Sequence, residues 1–527
     1  MKLVQAIFGI LPVICWLAPT EGARILGVFA FPAKSHHIVG SALMGELARR
    51  GHEVTVIACH RQEEKLNNFT EIIVEPRYDF WSDISKAFNN LDVFQLTDIS
   101  IGENLRMVNI LGDQPTEHAL KHPEVQKLIH STDLEFDLLI VEQFFQEAFL
   151  MLAKKFNVPI VSVTAYGFDN ALSGFMGQIT PWAHSPHPYY PFTDRMTFFE
   201  RLHNVYVCLY TEWNKHWVHM PRQNELAQKY FAHLPGPLPS IWDLERNISV
   251  ILMNNHVPLE WPRSLVMGMV PVGGIQIKPP KTLQRDIRQF LDEARNGAIY
   301  FSLGTNVDSS RMPASKVEAF IKVFAKLKER VLWKWGDENI PNLPKNVMVK
   351  KWMPQNDILA HPHVKLFISH GGLLSVQEAV YRSVPILGIP FYGDQFLNTK
   401  KAANEGYGVY LDFNNITETS LTWALQKLLY DPEYMIRIRE VSRIFRDRQS
   451  SAMETAIYWI DYTIRNKGAP YMKSSAALLP WYSLYLIDVI GFVFGVLFAG
   501  LLGIYLIGKF IRRLTKSKKE KLYYKIN

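Results

Sequence analysis

The chain has 527 residues, 48% hydrophobic and 20% charged, with only three cysteines. That length is too great for one ordinary hydrophobic core and implies two domains plus appendages, while so few cysteines exclude a disulfide scaffold. The net charge of +7 does not mark a nucleic-acid binder: from Lys509 onward stand eight basic residues and one acid, and removing these from the totals of 57 and 50 leaves 49 of each sign.

In chain order, Lys2 followed by an apolar run over residues 3–17 and small residues near Gly22 predicts a secretory signal peptide, residues 1–22, cleaved after Gly22. Residues 25–29 form a continuous apolar run suited to a buried parallel strand. Residues 39–50 predict a helix with Val39, Leu43 and Leu47 on one face and Gly51 past its end. Strands follow at 54–57, 138–141 and 158–163, an α/β alternation. Residues 166–230 differ, being rich in aromatics (Trp182, Tyr189, Tyr190, Phe198, Phe199, Tyr206, Trp213, Trp217) without strand periodicity. They predict helices and loops around an apolar cavity, with core packing as the plainer reading for most of the individual rings. Prolines and glycines over 258–280 break both periodicities and mark an interdomain linker.

A second α/β run then begins: a strand at 298–302, a helix with Val317, Phe320, Ile321, Phe324 and Leu327 on one face, and strands at 331–335, 347–349 and 366–368. Residues 489–508 carry no charge and are long enough to cross a bilayer. The basic tail behind them is a positive-inside signal, placing the body in a lumen or outside and the tail in the cytosol. Sequons at Asn68, Asn247 and Asn415 all fall in that body. Cys15 leaves with the signal peptide, and no Cys/His cluster has zinc spacing, so no structural metal is expected.

The most informative segment is 367–395. A strand runs into His370-Gly371-Gly372 and a helix opens behind the glycines, so open backbone N–H groups and the positive helix end face an incoming anion. Glu378 lies two helical turns on, and Asp394-Gln395 offers a carboxylate and an amide to several hydroxyls. Phosphate, a ribose-like diol and hexose hydroxyls, in that order, describe a nucleotide sugar.

Ser369, His370, Gly371, Gly372, Ser375, Glu378, Pro385, Pro390, Asp394 and Gln395 together resemble the signature of the UDP-glycosyltransferase family, most closely its animal, membrane-anchored branch with insect-like wording. The resemblance covers nearly the whole chain. It implies an α/β fold of two Rossmann-like domains facing across a cleft (GT-B) plus one C-terminal transmembrane helix. The domains then read as 23–265, acceptor-binding; 266–284, linker; 285–465, UDP-sugar-binding; 466–488, membrane-proximal; 489–508, transmembrane; and 509–527, tail. Trp352-Met353-Pro354-Gln355 matches the family element that holds uracil: the indole of Trp352 can stack on a base while Gln355 meets its edge. By the same matching His370 and Ser375 meet the diphosphate, Glu378 the ribose, and Asp394 with Gln395 the transferred sugar. Gly304 and Thr305, after the strand at 298–302, resemble the family's other phosphate-side loop, and Gly372 completes the cradle. One position departs: many relatives have Asn four residues after the motif histidine, where Leu374 stands here.

Transfer needs a base, because an acceptor hydroxyl attacks only as its proton leaves. Ser35-His36-His37 follows the first strand, at the edge where open α/β sheets place their sites. The family pattern has the base directly after a serine, which assigns His36. A carboxylate must fix its tautomer. Relatives have Asp six residues after a Phe; here Phe136 is followed at that spacing by Glu142, one methylene longer.

The resulting expectation is inverting, metal-independent transfer of a hexose, preferably glucose from UDP-glucose as co-substrate, to a small lipophilic acceptor. The enzyme would be a single-pass type I protein of the endoplasmic reticulum membrane acting in detoxification. Lys525, third from the end, resembles a retrieval signal without its second lysine. No nucleic acid is expected as partner, and a homo-oligomer is compatible with the reading. The preference for glucose rests on the missing arginine in residues 251–255, where glucuronate users tend to carry one. Competing readings are a UDP-glucuronosyltransferase, a ceramide or sterol glycosyltransferase, and an inactive small-molecule-binding relative, against which His36 speaks. A nicotinamide oxidoreductase is excluded because Phe31-Pro-Ala-Lys34 replaces the glycine fingerprint.

Overall fold

The computed structural model describes residues 22–75, 92–168, 174–337 and 340–526, with 85 and 88. The expected signal peptide lies outside them but for Gly22. Residues 1–473 and 474–527 form separate compact units.

The first unit holds two all-parallel sheets. The first comprises β1 (Arg24–Phe29), β2 (Glu53–Ala58), β3 (Phe69–Ile73), β4 (Leu138–Glu142), β5 (Ile160–Val163), β6 (Ile248–Met253) and β7 (Met269–Pro271), in the order β3-β2-β1-β4-β5-β6-β7. The second comprises β8 (Ala298–Ser302), β9 (Arg330–Lys334), β10 (Val347–Lys350), β11 (Val364–Ser369), β12 (Ile386–Gly388) and β13 (Gly408–Tyr410), in the order β10-β9-β8-β11-β12-β13. Each order reverses once, between β1 and β4 and between β8 and β11. A doubly wound sheet opens a crevice beyond the strand ends at such a reversal. Strand registers there pair Val28 with Val141 and Ser369 with Ser302, so the loops after those strands start side by side.

The helices that matter to the site are α1 (Lys34–Arg49), α2 (Ile101–Lys121), α3 (Phe198–Asn214), α4 (Met220–Tyr230), α5 (Gln355–Leu359), α6 (Leu373–Tyr381), α7 (Gln395–Asn404) and α8 (Ala452–Arg465). α1 begins at Lys34, not at residue 39. Apolar periodicity is blind to a polar first turn, and nothing between Lys34 and Val39 breaks a helix. His36 and His37 therefore stand on a helix, not in a loop. α2 is set by a capping box, Ser100 accepting from the Glu103 N–H and Glu103 from that of Ser100. Part of the 258–280 segment is not linker: β7 adds the seventh strand of the first sheet, Ile251 pairing with Met269.

The aromatic segment behaves differently from both sequence readings. Phe198, Phe199, Tyr206, Trp213 and Trp217 are exposed along α3 and the π-helical turn Lys215–His219, neither cavity wall nor core. Of the eight rings named from the sequence, Tyr189 alone lines the cavity.

The halves are joined at several points besides the linker. Val93, Phe94, Leu96 and Met107 pack into the core of the second sheet with Phe301, Trp333 and Phe391. Buried Gln377 on α6 donates to the Asn254 carbonyl at 3.0 Å and accepts from the Gly274 N–H at 3.1 Å and from Gln276 at 3.0 Å. α8 returns to the first sheet, where Ala456, Ile457 and Ile460 share a core with Ile25, Val39 and Leu43. Arg50 also pairs with Glu454 of α8.

Cys59 and Cys208 are buried, and no disulfide joins them. Asn247 and Asn415 are exposed, whereas the Asn68 amide is spent on the carbonyls of Ala48 and His52 at 2.8 and 2.5 Å. In the second unit a single helix, α9 (Ile487–Ile526), contains a stretch, Ile487–Lys519, long and apolar enough to cross a membrane.

Candidate active site

One cavity of about 820 Å³ lies at the two sheet reversals and is lined from both halves of the first unit. Its first-sheet wall carries His36 in the opening turn of α1 and, at the end of the neighbouring strand β4, buried Glu142. His36 Nδ1 is 2.6 Å from Glu142 Oε1. The neutral imidazole then holds its proton on Nδ1, donated to the carboxylate, which leaves Nε2 as the proton acceptor. The ring is gripped between Phe31 and Phe144, with centroids at 4.7 and 4.5 Å, so its plane is set by packing as well. His37 lacks any such carboxylate; burial, with His60 beside it, lowers its pKa to about 4 and keeps it neutral. Of the two adjacent histidines, His36 is the one paired with a carboxylate among the described residues.

The opposite wall is built on β8 and β11. Each strand ends in a serine whose hydroxyl accepts from the N–H two residues on: Ser302 from Gly304 at 3.2 Å, Ser369 from Gly371 at 3.1 Å. His370 sits between Gly304 and Gly372, and a Cβ on either would come within 2.6 Å of its ring. Gly304 also has φ +84°, which favours glycine. Burial, then Lys334, lowers the His370 pKa to about 4, so at neutral pH it presents a hydrogen bond and not a charge. Behind it α6 starts with Gly372 as its N-cap and no side-chain cap, leaving first-turn amides open. Thr305 is exposed in the glycine loop and lines the cavity.

Trp352 is 51% exposed and lines the cavity, so it is not a core residue. Gln355, first residue of α5, donates to Ser375 Oγ at 3.0 Å and Glu378 Oε2 at 2.8 Å, so three residues assigned separately from sequence form one chain. Burial pushes the Glu378 carboxyl up to about 7 against the Gln355 hydrogen bond. Asp394, N-cap of α7, accepts from Asn398 at 3.0 Å; burial raises it to about 6, with Asn398 and nearby His36 opposing. Gln395 is buried and its Oε1 accepts from the Phe391 and Tyr392 N–H groups at 2.9 and 3.3 Å. What it offers a ligand is its amide nitrogen. Leu374 lines the cavity and packs against the first-sheet core, so the family's asparagine contact has no counterpart at this position.

All twelve residues named from sequence line this one cavity except buried Glu142, which reaches it through His36. Sequence reasoning missed Lys34 and Lys334, and it missed the apolar end of the cavity: Met107, Val108 and Leu111 of α2 with Phe144, Phe145 and Tyr166. The capping box and 3.6-residue apolar period of α2 were available signals. Phe145, at φ +55°, is held in the left-handed region that costs a bulky residue about 1 kcal/mol or more. Among the described residues no group of three or more His, Cys, Asp or Glu is placed to hold a metal. Residues 251–253 are buried in β6 and outside the cavity lining, as are Asn254 and Asn255, so the lack of arginine there says nothing about the sugar.

Comparison with known proteins agrees with this geometry. The family model described as UDP-glucoronosyl and UDP-glucosyl transferase matches residues 27–521. A UDP-glycosyltransferase, UGT5, of Dactylopius coccus is 38% identical over 92% of this chain and 91% of its own length. UDP-glucosyltransferase 2 of the same organism is 33% identical over 93% and 92%. Human UDP-glucuronosyltransferase 2B7 is 28% identical over 87% and 88%. Among solved structures the spinosyn forosaminyltransferase SpnP aligns with TM-score 0.55 at 17% identity, over 84% of this chain and 99% of its own. Two facing parallel-sheet domains, the donor signature and these relatives together make the chain a glycosyltransferase of GT-B fold, a member of the UDP-glucuronosyl and UDP-glucosyl transferase family.

Proposed function

We propose that the protein transfers glucose from UDP-glucose to a hydroxyl of a small lipophilic acceptor with inversion at the anomeric carbon. The observation that carries the mechanism is the 2.6 Å His36–Glu142 pair facing the donor cradle across a single cavity. The acceptor hydroxyl gives its proton to His36 Nε2 as its oxygen bonds to the anomeric carbon. The anomeric C–O bond breaks on the opposite face, and its electron pair leaves with UDP. Glu142 stabilises the imidazolium that forms. The α6 amides and the His370 ring bear on the growing diphosphate charge, while Asp394 and the Gln395 amide hold the sugar. Helix-end amides and side chains, without a metal ion, are the leaving-group partners in this reading.

Aromatic and aliphatic walls around His36 favour a flat apolar acceptor. The preference for glucose is supported by the likeness to a protein named UDP-glucosyltransferase, more identical to this chain than the glucuronosyltransferases. Lumenal orientation in the endoplasmic reticulum membrane is supported by the apolar helix with its basic tail and by exposed sequon asparagines 247 and 415.

The test is full-length protein in membranes with UDP-glucose or UDP-glucuronate, against phenol, steroid and lipid acceptors, with and without EDTA. A β-glucoside of a phenol or steroid, formed equally in EDTA, is expected. An α-linked product, or no transfer from either donor, overturns the reading.

A further inference from the structure

Two lysines, one from each half, converge on the Trp352 indole. Lys34, the first residue of α1, holds its ammonium 3.8 Å from the ring centroid. Lys334, at the end of β9, lies 5.1 Å from the same centroid and donates to the Gly304 carbonyl at 2.6 Å. Several lysines among the described residues have carboxylate partners, such as Lys215 with Glu245 and Lys350 with Asp286, but neither of these two forms an ion pair there. They are close enough to act on each other: burial, and then Lys34, lowers the Lys334 pKa to about 8. Two like charges held together in a partly buried cavity without a counter-charge cost free energy. That cost is recovered when an anion arrives. The place lies between the base platform and the glycine turn at Gly304, both of which line the cavity.

The two lysines differ in what they are fixed to. The Gly304 carbonyl already holds Lys334 in the donor-binding half. Among the described residues the ammonium of Lys34 is held only by the ring face, on a flexible four-carbon stem rooted two residues before His36. A stacked base and this ammonium compete for the indole, and a diphosphate attached to the base offers the displaced ammonium a stronger partner.

We propose that Lys34 is a donor-positioning residue that reaches across the cleft to ligate the diphosphate of the UDP-sugar. The proposal rests on the UDP-sugar reading above. It makes the donor a bridge between the halves: base and ribose are bound by the second sheet's loops, and the phosphates draw in the helix that carries the catalytic histidine. Its charge also bears on the leaving group, so its loss lowers kcat as well as donor affinity.

Calorimetric titration of the full-length protein with UDP and, separately, with uridine tests this in the wild type and in Lys34→Met, Lys34→Gln and Lys34→Arg. About tenfold weaker UDP binding is expected for Met and Gln, with uridine unchanged or tighter, a shallower salt dependence for UDP, and partial rescue by Arg. Unchanged UDP affinity, or equal losses for UDP and uridine, overturns the proposal, the second result assigning Lys34 to holding Trp352 in place. If the wild type binds neither ligand, the UDP-sugar reading itself falls and takes this proposal with it. Binding by the wild type with no selective loss in the variants sinks the Lys34 role alone.

Discussion

The two walls of the cavity use the same device to different ends. Each sits at the reversal of a doubly wound sheet, and each sets side by side the segments that follow two adjacent strands. On the second sheet the loops are glycine turns capped by serines, and the chemistry is carried by backbone amides and by side chains from residues 352–395. On the first sheet the strand ends set a helix and a carboxylate side by side, and the result is an imidazole hydrogen-bonded to a carboxylate 106 residues away. The lesson is that an anion cradle can be encoded locally, because one turn and one helix end supply most of it. Setting a histidine against a carboxylate 106 residues away is a tertiary arrangement.

That contrast can be broken by variants that act on one wall and spare the other. His36→Ala is expected to lower kcat by about 10³-fold or more while UDP affinity stays within about twofold; a loss of UDP binding would show the walls are not separable. Glu142→Gln keeps the shape but offers the imidazole no charge, and a fall of about 10²-fold in kcat with an unchanged KM for the donor is expected from steady-state kinetics. Glu142→Asp should recover part of it. On the other wall, Trp352→Ala should weaken UDP by about 10-fold to 100-fold in calorimetry, and Trp352→Phe by less, with kcat at saturating donor barely altered.

The smallest effect sharpens the donor side. Burial raises the Glu378 carboxyl to about 7, so its proton is favoured below that pH and must be lost before the carboxylate accepts from the ribose hydroxyls. Uridine affinity should therefore rise with pH up to about 7 and level off above it, by about tenfold at most between pH 6 and 8. Uridine lacks the phosphates that would report on Lys334 and the sugar that would report on Asp394. A Glu378→Gln protein should give a flat profile; an equally steep one assigns the dependence to another group.

The sequence was legible where function is contiguous. Residues 352–395 could be read together because strand, glycine turn and helix follow directly, and the structure brings their named side chains to one cavity. His36 and Glu142 were readable only because the family pattern ties each to a neighbour, Ser35 and Phe136. Met107, Val108 and Leu111 were not, since an apolar helix face looks the same whether it meets a core or a cavity. Lys34 was passed over because a lone lysine at a helix start carries no periodic signal, and its partner Trp352 lies 318 positions on. The exposed rings of α3 and of the turn behind it were misassigned for the converse reason: aromatic content announces burial, and Phe199 and Trp217 are 78% and 71% exposed.

The return of α8 to the first sheet has a consequence for synthesis. Ile457 and Ile460 complete a core that begins with Ile25, and Met472 belongs to it as well. As the chain emerges amino terminus first, the first sheet lacks this part of its core until the whole second sheet has been made. Its core is complete only when the segment just before the second unit has been delivered.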